Sequence, residues 1–293
     1  MKVLVIGATG MLGYSIFSHL SDDKNYHVVG SVRNIQGKER YFVGRTQQLI
    51  YDVDVNQFDS ISGAIKQVNP QVVINCIGLI KQYDAAKSHV EAIDINALFP
   101  HKLAVACNEV GAKLIHFSTD CVFSGEQGAY SEADSPDAQD LYGKSKCLGE
   151  VDYAPHLTLR TSIIGHELTG AVSLIDWFLS QTGKVNGFSR AIFSGLPTCY
   201  VAQLLSEHIL PKQDLSGLYH LSVDPIDKFT LLNIVSDIYS RSTTIHEQAD
   251  FVINRSLDSS KLSQALNIHH PQWVELIQSM YLDYCLRYKP CKS

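Results

Sequence analysis

A chain of 293 residues with 45% apolar and 18% charged side chains is long enough for one large domain or two ordinary ones, with a substantial core. The formal net charge of −6 and the lack of any long basic run exclude a nucleic-acid partner. The seven cysteines (Cys76, Cys107, Cys121, Cys147, Cys199, Cys285 and Cys291) are odd in number, scattered and without a CxxC pair, which argues against a disulfide framework or a zinc site.

Reduced thiols of this kind suit a cytoplasmic protein. Met1 runs directly into an apolar strand, and no signal peptide or membrane span is visible. No internal repeat, low-complexity tract or metal-ligand cluster with recognisable spacing appears.

Lys2–Ile6 is apolar and rich in β-branched residues, as a buried strand requires. Gly7, Gly10, Met11, Leu12 and Gly13 follow in a GxxGxxG turn, and a helix is expected over Tyr14–Leu20. Strand, glycine turn and helix start are the parts of a dinucleotide site. The glycines allow the tight turn, and the pyrophosphate meets the helix N-terminus. The second strand, His27–Val32, carries no acidic residue at its end; Ser31 and Arg33 stand there instead. A guanidinium pairs with a 2′-phosphate, so this edge favours NADP(H), with NAD(H) as the alternative.

A third strand is expected over Leu49–Val53, bringing Asp52 and Val53 to the adenine. A helix over Phe58–Val68 follows, stopped by Asn69-Pro70. The strand Gln71–Cys76 enters a turn of Asn75, Cys76, Ile77 and Gly78 at its C-terminal end, where ligands bind in open α/β sheets. Lys81 lies in the loop beyond, within reach of a substrate. One long helix is expected over Glu91–Val110, kinked near Pro100; Asn96 lies on it without an evident role.

The fifth strand, Lys113–Ser118, delivers the Thr119 hydroxyl to the same rim. On a helix over Leu141–Val151, Tyr142 and Lys146 leave one face a turn apart. A phenol titrates near about 10, and an adjacent ammonium is expected to lower that value, so the pair moves a proton at neutral pH. A sixth strand, Leu157–Thr161, leads to Ile163.

Alternating strands and helices predict an α/β fold with a doubly wound parallel sheet, a Rossmann domain over residues 1–165. Residues 166–293 lose the alternation. They read as a smaller mixed α/β substrate-binding part that caps one edge of the sheet, with segments returning to the first domain. Helices are expected over Leu174–Thr182, Val201–Ile209, Thr230–Ser240, Ser259–Leu266 and Trp273–Leu286, and a loop over Ser194–Thr198.

In combination, the glycine turn, Ser118-Thr119-Asp120-Cys121-Val122-Phe123, Tyr142-Gly143-Lys144-Ser145-Lys146 with Gly149-Glu150, and Leu159-Arg160-Thr161-Ser162 resemble the extended short-chain dehydrogenase/reductase family. The branch is that of the dTDP-4-dehydrorhamnose reductases, and the resemblance spans nearly the whole chain. It implies a catalytic triad of Thr119, Tyr142 and Lys146, with Lys146 also holding the nicotinamide ribose. It further implies a dTDP- or UDP-linked 4-keto sugar as substrate, in the synthesis of surface-polysaccharide precursors, and leaves a homodimer open. Asp120, Cys121, Lys81 and Ile163 are the candidate substrate contacts.

Cys121 replaces the Tyr, and Ile163 the Trp, common in that branch, which leaves nucleotide and sugar undetermined. Related dehydratases carry Asp-Glu after the Thr, and Cys121 in place of Glu argues against dehydration. Related epimerases retain NAD, which Arg33 disfavours. Some similar proteins are NADP-binding regulatory subunits, such as the accessory subunit of methionine adenosyltransferase, and this is the alternative to catalysis.

Overall fold

The computed structural model describes residues 1–79 and 88–289. The chain begins with β1 (Lys2–Ile6), α1 (Met11–Asp22), β2 (His27–Ser31), β3 (Leu49–Ile50), α2 (Phe58–Val68) and β4 (Val72–Asn75). Next come α3 (His89–Ala92), a π-helical segment (Ile93–Leu98), α4 (Phe99–Glu109), β5 (Lys113–Thr119), α5 (Leu141–Leu148) and β6 (Leu157–Thr161). These strands build a parallel sheet, as the sequence alternation predicts, and their order is β3-β2-β1-β4-β5-β6.

The remaining chain forms β7 (Ile163–Ile164), α6 (Leu174–Ser180), β8 (Lys184–Phe188), β9 (Ala191–Phe193), β10 (Leu196–Pro197) and α7 (Thr198–Leu204). It closes with β11 (Gly217–His220), β12 (Ile226–Asp227), α8 (Lys228–Ile238), β13 (Thr244–Gln248), β14 (Ile253–Asn254), α9 (Ser260–Leu266) and α10 (Trp273–Asp283). β11 returns to the main sheet beside β6 and makes it seven-stranded. Short strands pair in the cap: β10 with β7, β13 with β8, and β12 and β14 on either side of β9. Among the described residues no helix is long and apolar enough to cross a membrane.

Every residue of β4 and β6 is buried, as strands covered on both faces must be. Two cores result. One packs α1, Phe42 and the apolar faces of α7, α8 and α10 against one side of the sheet. The other packs α2 and α4 against the opposite side through Ile61, Ile65, Leu103 and Leu114.

Several elements differ from expectation. The helices expected over Val201–Ile209 and Trp273–Leu286 each pass into a π-helical segment (Leu205–Ile209 and Tyr284–Tyr288), and the one expected over Leu141–Val151 stops at Leu148. β3 stops at Ile50 because Asp52 adopts φ +60°, although the Asp52 and Val53 N–H groups still donate to Arg33 and Val32. The helix expected over Glu91–Val110 is interrupted by a π segment ahead of Pro100, not by a proline kink. Pro100 lies in the first turn of α4, where its missing N–H is tolerated. The Ser194–Thr198 stretch is not all loop: it contains β10 and the first residue of α7.

Candidate functional site

The first turn of α1 lies at the C-terminal edge of the sheet. Gly7 has φ +85°, and a side chain on Gly13 would lie 2.1 Å from the Gly7 carbonyl oxygen, so the turn closes only with glycine at both. Gly10 is the N-cap, offers no side-chain cap, and no acidic residue follows in the first turn. The N–H groups opening α1 are thus free for an anion, which fits a dinucleotide pyrophosphate.

β5 and α5 bring Thr119, Tyr142 and Lys146 to the same edge. Asp140 caps α5 by accepting from the Gly143 N–H at 2.9 Å. A Cβ on Gly143 would lie 2.3 Å from the Cys121 carbonyl oxygen, so glycine allows α5 to dock directly on the turn after β5. At the other end of α5, a Cβ on Gly149 would lie 1.9 Å from the Asn96 carbonyl oxygen.

The Thr119 hydroxyl donates to Asp120 Oδ1 at 3.1 Å and accepts from the Cys121 N–H at 3.1 Å. Burial holds the Asp120 carboxyl above its ordinary range, opposed by the charges of Arg255 and Lys228. The Cys121 thiol is pushed up to about 12, mainly by burial.

Lys146 is 5% exposed and donates from Nζ to the Phe117 carbonyl at 2.7 Å. Burial lowers its ammonium to about 8, partly offset by the Glu150 carboxylate. The Tyr142 phenol does not follow the expectation of a lowered pKa. Burial and the neighbouring Cys121 sulfur raise it above the ordinary phenol value, and contact with the Thr119 hydroxyl offsets this only in part. The physical reason is the dry setting: the Lys146 ammonium is spent on a backbone carbonyl, and desolvation of a phenolate dominates.

One cavity of about 590 Å³ joins these parts. It brings together Gly10, Met11, Leu12, Cys76, Ile77 and Gly78 from the expected cofactor set. Thr119, Asp120, Cys121, Tyr142, Lys146 and Ile163 line it as well. Gly7 and Gly13 lie beneath the turn instead of in the cavity wall. Arg33 and Asp52 are exposed and joined through their backbones, with Val53 buried beside them, all outside the cavity wall. Ser31 is buried and its hydroxyl accepts from the Gly7 N–H at 3.3 Å, so it braces the glycine turn. Lys81 lies outside the described residues.

Asn96 has a role that the sequence reading did not give it. Its Oδ1 accepts from the Leu79 N–H at 2.9 Å, and its Nδ2 donates to the Leu79 carbonyl at 3.4 Å and to Ser145 Oγ at 3.3 Å. It ties the turn after β4 to α5. The available signal was Pro100, four residues on, which has no N–H to give back to that turn; the Asn96 carbonyl is the one Gly149 approaches. Glu150, part of the resemblance, was given no role by the sequence reading. It takes a two-pronged bond from Arg160 (Nε to Oε1 and Nη2 to Oε2, each 2.7 Å) and a third from Ser118 Oγ at 2.7 Å.

Among known proteins, the methionine adenosyltransferase 2 subunit beta of Danio rerio is 27% identical over 254 residues, spanning 82% of this chain and 74% of that protein. The dTDP-4-dehydrorhamnose reductase of Salmonella typhimurium is 27% identical over 249 residues, 75% of this chain and 72% of its own. A crystal structure of dTDP-4-dehydrorhamnose reductase from Bacillus anthracis in complex with NADP superposes with a TM-score of 0.78 at 20% identity, covering 96% of this chain and 99% of that one. The model of the RmlD substrate binding domain family matches residues 1–285, and the chain belongs to that family.

Proposed function

We propose that the protein is an NADPH-dependent reductase of the 4-keto group of a nucleotide-linked 6-deoxy sugar. The observation that carries the reading is the single cavity joining the open first turn of α1 to Thr119, Tyr142 and Lys146. The names of relatives such as the Salmonella typhimurium reductase supply the substrate class.

When bound, the nicotinamide supplies the hydride to the carbonyl carbon. Tyr142 holds a proton at neutral pH and gives it to the developing alkoxide. Thr119 hydrogen-bonds the same oxygen. Lys146 holds the nicotinamide ribose and keeps a positive charge behind the phenol. The first-turn N–H groups of α1 take the pyrophosphate, with Arg33 at the 2′-phosphate and Asp52 and Val53 at the adenine. The Cys76–Gly78 turn flanks the cofactor, and Asp120, Cys121 and Ile163 face the sugar. Residues 166–293 select the substrate over the edge of residues 1–165.

The test is NADPH oxidation with a panel of dTDP- and UDP-linked 4-keto-6-deoxy sugars. Turnover of at least one is expected, and no turnover of any would overturn the reading. A second reading is a regulatory subunit, favoured by the likeness to the Danio rerio protein over 82% of this chain. Co-purification of a stable partner without sugar turnover would select it.

A further inference from the structure

Close to the Lys146 ammonium lies a buried imidazole that the proposed reaction leaves unused. His116 stands on β5, one residue before the Phe117 carbonyl that holds Lys146, and is 1% exposed. Asn75, at the end of β4, fixes where its proton sits. Asn75 Oδ1 accepts from the Ile77 N–H at 3.0 Å, so the other end of that amide is the donor. Asn75 Nδ2 lies 3.1 Å from His116 Nδ1, which therefore accepts, and the ring carries its proton on Nε2. Nε2 is buried and has no partner among the described residues. A buried N–H without an acceptor is costly, and protein interiors satisfy such groups with ordered water.

Lys146 has donors to spare in the same region. Its ammonium carries three N–H groups, and the Phe117 carbonyl takes one. Gly78 closes over it: a Cβ there would lie 3.7 Å from Lys146 Nζ and 3.5 Å from Asn96 Oδ1. That amide oxygen takes the Leu79 N–H and keeps a second lone pair. Burial, then the charge of Lys146 and less strongly that of His101 on α4, hold the His116 imidazole well below its ordinary range, so the ring is neutral at neutral pH. The other ionisable groups about the pair are Glu150, just past α5, and Tyr142, Asp120, Cys121 and Cys76, which share the cavity wall with Lys146.

We propose that His116 is a positioning residue for Lys146, joined to it by one buried water that accepts from both Nε2 and Nζ. The Asn96 amide oxygen is open to a proton of that water. The third ammonium N–H is left for the cofactor ribose, a role that rests on the reductase reading above. A water that accepts from the ammonium favours its charged form, so His116 keeps the Lys146 value from falling further below about 8.

The experiment is NMR on the whole chain, free of cofactor, with histidine ring nitrogens and lysine side chains labelled. The wild type should show His116 as the Nε2–H tautomer at neutral pH, and Lys146 should titrate near about 8. His116→Phe keeps a ring and removes the donor. The Lys146 midpoint should then fall by about one pH unit, a tenfold change in proton affinity. His116→Gln restores an N–H donor near the Nε2 position and should hold the midpoint near wild type. With any sugar that is turned over, the basic limb of kcat/KM should move down in His116→Phe together with the midpoint.

An Nδ1–H tautomer, or an imidazolium at neutral pH, would overturn the proposal, and both are read in the wild type whether or not a variant folds. An unchanged Lys146 midpoint in His116→Phe would also overturn it. So would an equal fall in both variants, which would mark the effect as one of packing. The tautomer and the midpoints use no sugar, so failure of every sugar to turn over would remove the reductase reading while these measurements still decide the link between His116 and Lys146.

Discussion

In the proposed reaction, Tyr142 and Lys146 divide the proton chemistry between them in an unequal way. Burial keeps the phenol protonated, so Tyr142 is set as an acid. Replacing it by Phe should lower turnover by about 10²–10⁴-fold, with NADPH affinity near wild type by fluorescence titration. Lys146, lowered to about 8, is the group that titrates near neutrality. Its charge is lost as pH rises through that value, so kcat/KM should fall on the basic side with an apparent pKa near about 8. A flat profile through that range would count against the role given to Lys146. The effect on stability has the opposite sign. The folded chain holds this proton less tightly than the unfolded one, so the group's contribution to stability rises between about 8 and 10.5. At the cofactor edge, the Arg33 side chain is exposed and has no partner among the described residues. Arg33→Ala should raise the KM for NADPH by about tenfold or more and leave that for NADH unchanged, as measured by steady-state kinetics. Thr119, Tyr142 and Lys146 could be read from the sequence because a strand end and one helical turn carry them. The hydrogen bonds of Asn96 and His116 could not, because their partners come from distant segments: Leu79 and Ser145 for one, Asn75 for the other.

At the scale of elements, glycine explains how α5 reaches the site. It is a short helix with two glycines at or inside its ends, a poor choice on propensity alone. Contact decides in their favour: Gly143 faces the Cys121 carbonyl, and Gly149 faces the Asn96 carbonyl in the π segment. Gly149→Ala should destabilise the fold by about 1–3 kcal/mol, seen as a lower melting temperature, because the neighbour is backbone and cannot rotate away. Activity should fall with it, since the same contact seats Lys146. The strands β1, β2, β4, β5 and β6 lie within a residue or two of where the apolar runs put them. The π segment was not visible in the apolar periodicity; it is the part of the α3–α4 helix that packs against α5, which lies about fifty residues further along the chain.

Across the whole molecule, Glu150 and Arg160 join the end of α5 to the main sheet. Their side chains are 8% and 4% exposed, and Ser118 on β5 shares the carboxylate. Arg160 Nη1 also approaches His220 Nε2 on β11 at 3.4 Å, and the His220 N–H donates to Glu132 at 2.7 Å. Arg160→Met would leave Glu150 buried with only the Ser118 bond. A loss of about 3–5 kcal/mol in denaturant unfolding is expected. Seen at this scale, the chain by itself determined the parallel sheet, the glycine turn and the spacings that bring Thr119, Tyr142 and Lys146 to one cavity wall. Those depend on local propensity, periodicity and short spacings, which a linear sequence carries. Only the tertiary structure decided the proton state of Tyr142, the clamp at Asn96 and the arrival of Arg255 and Lys228 at the cavity wall. Those depend on desolvation and on contacts between residues far apart in the chain, and no short spacing encodes either.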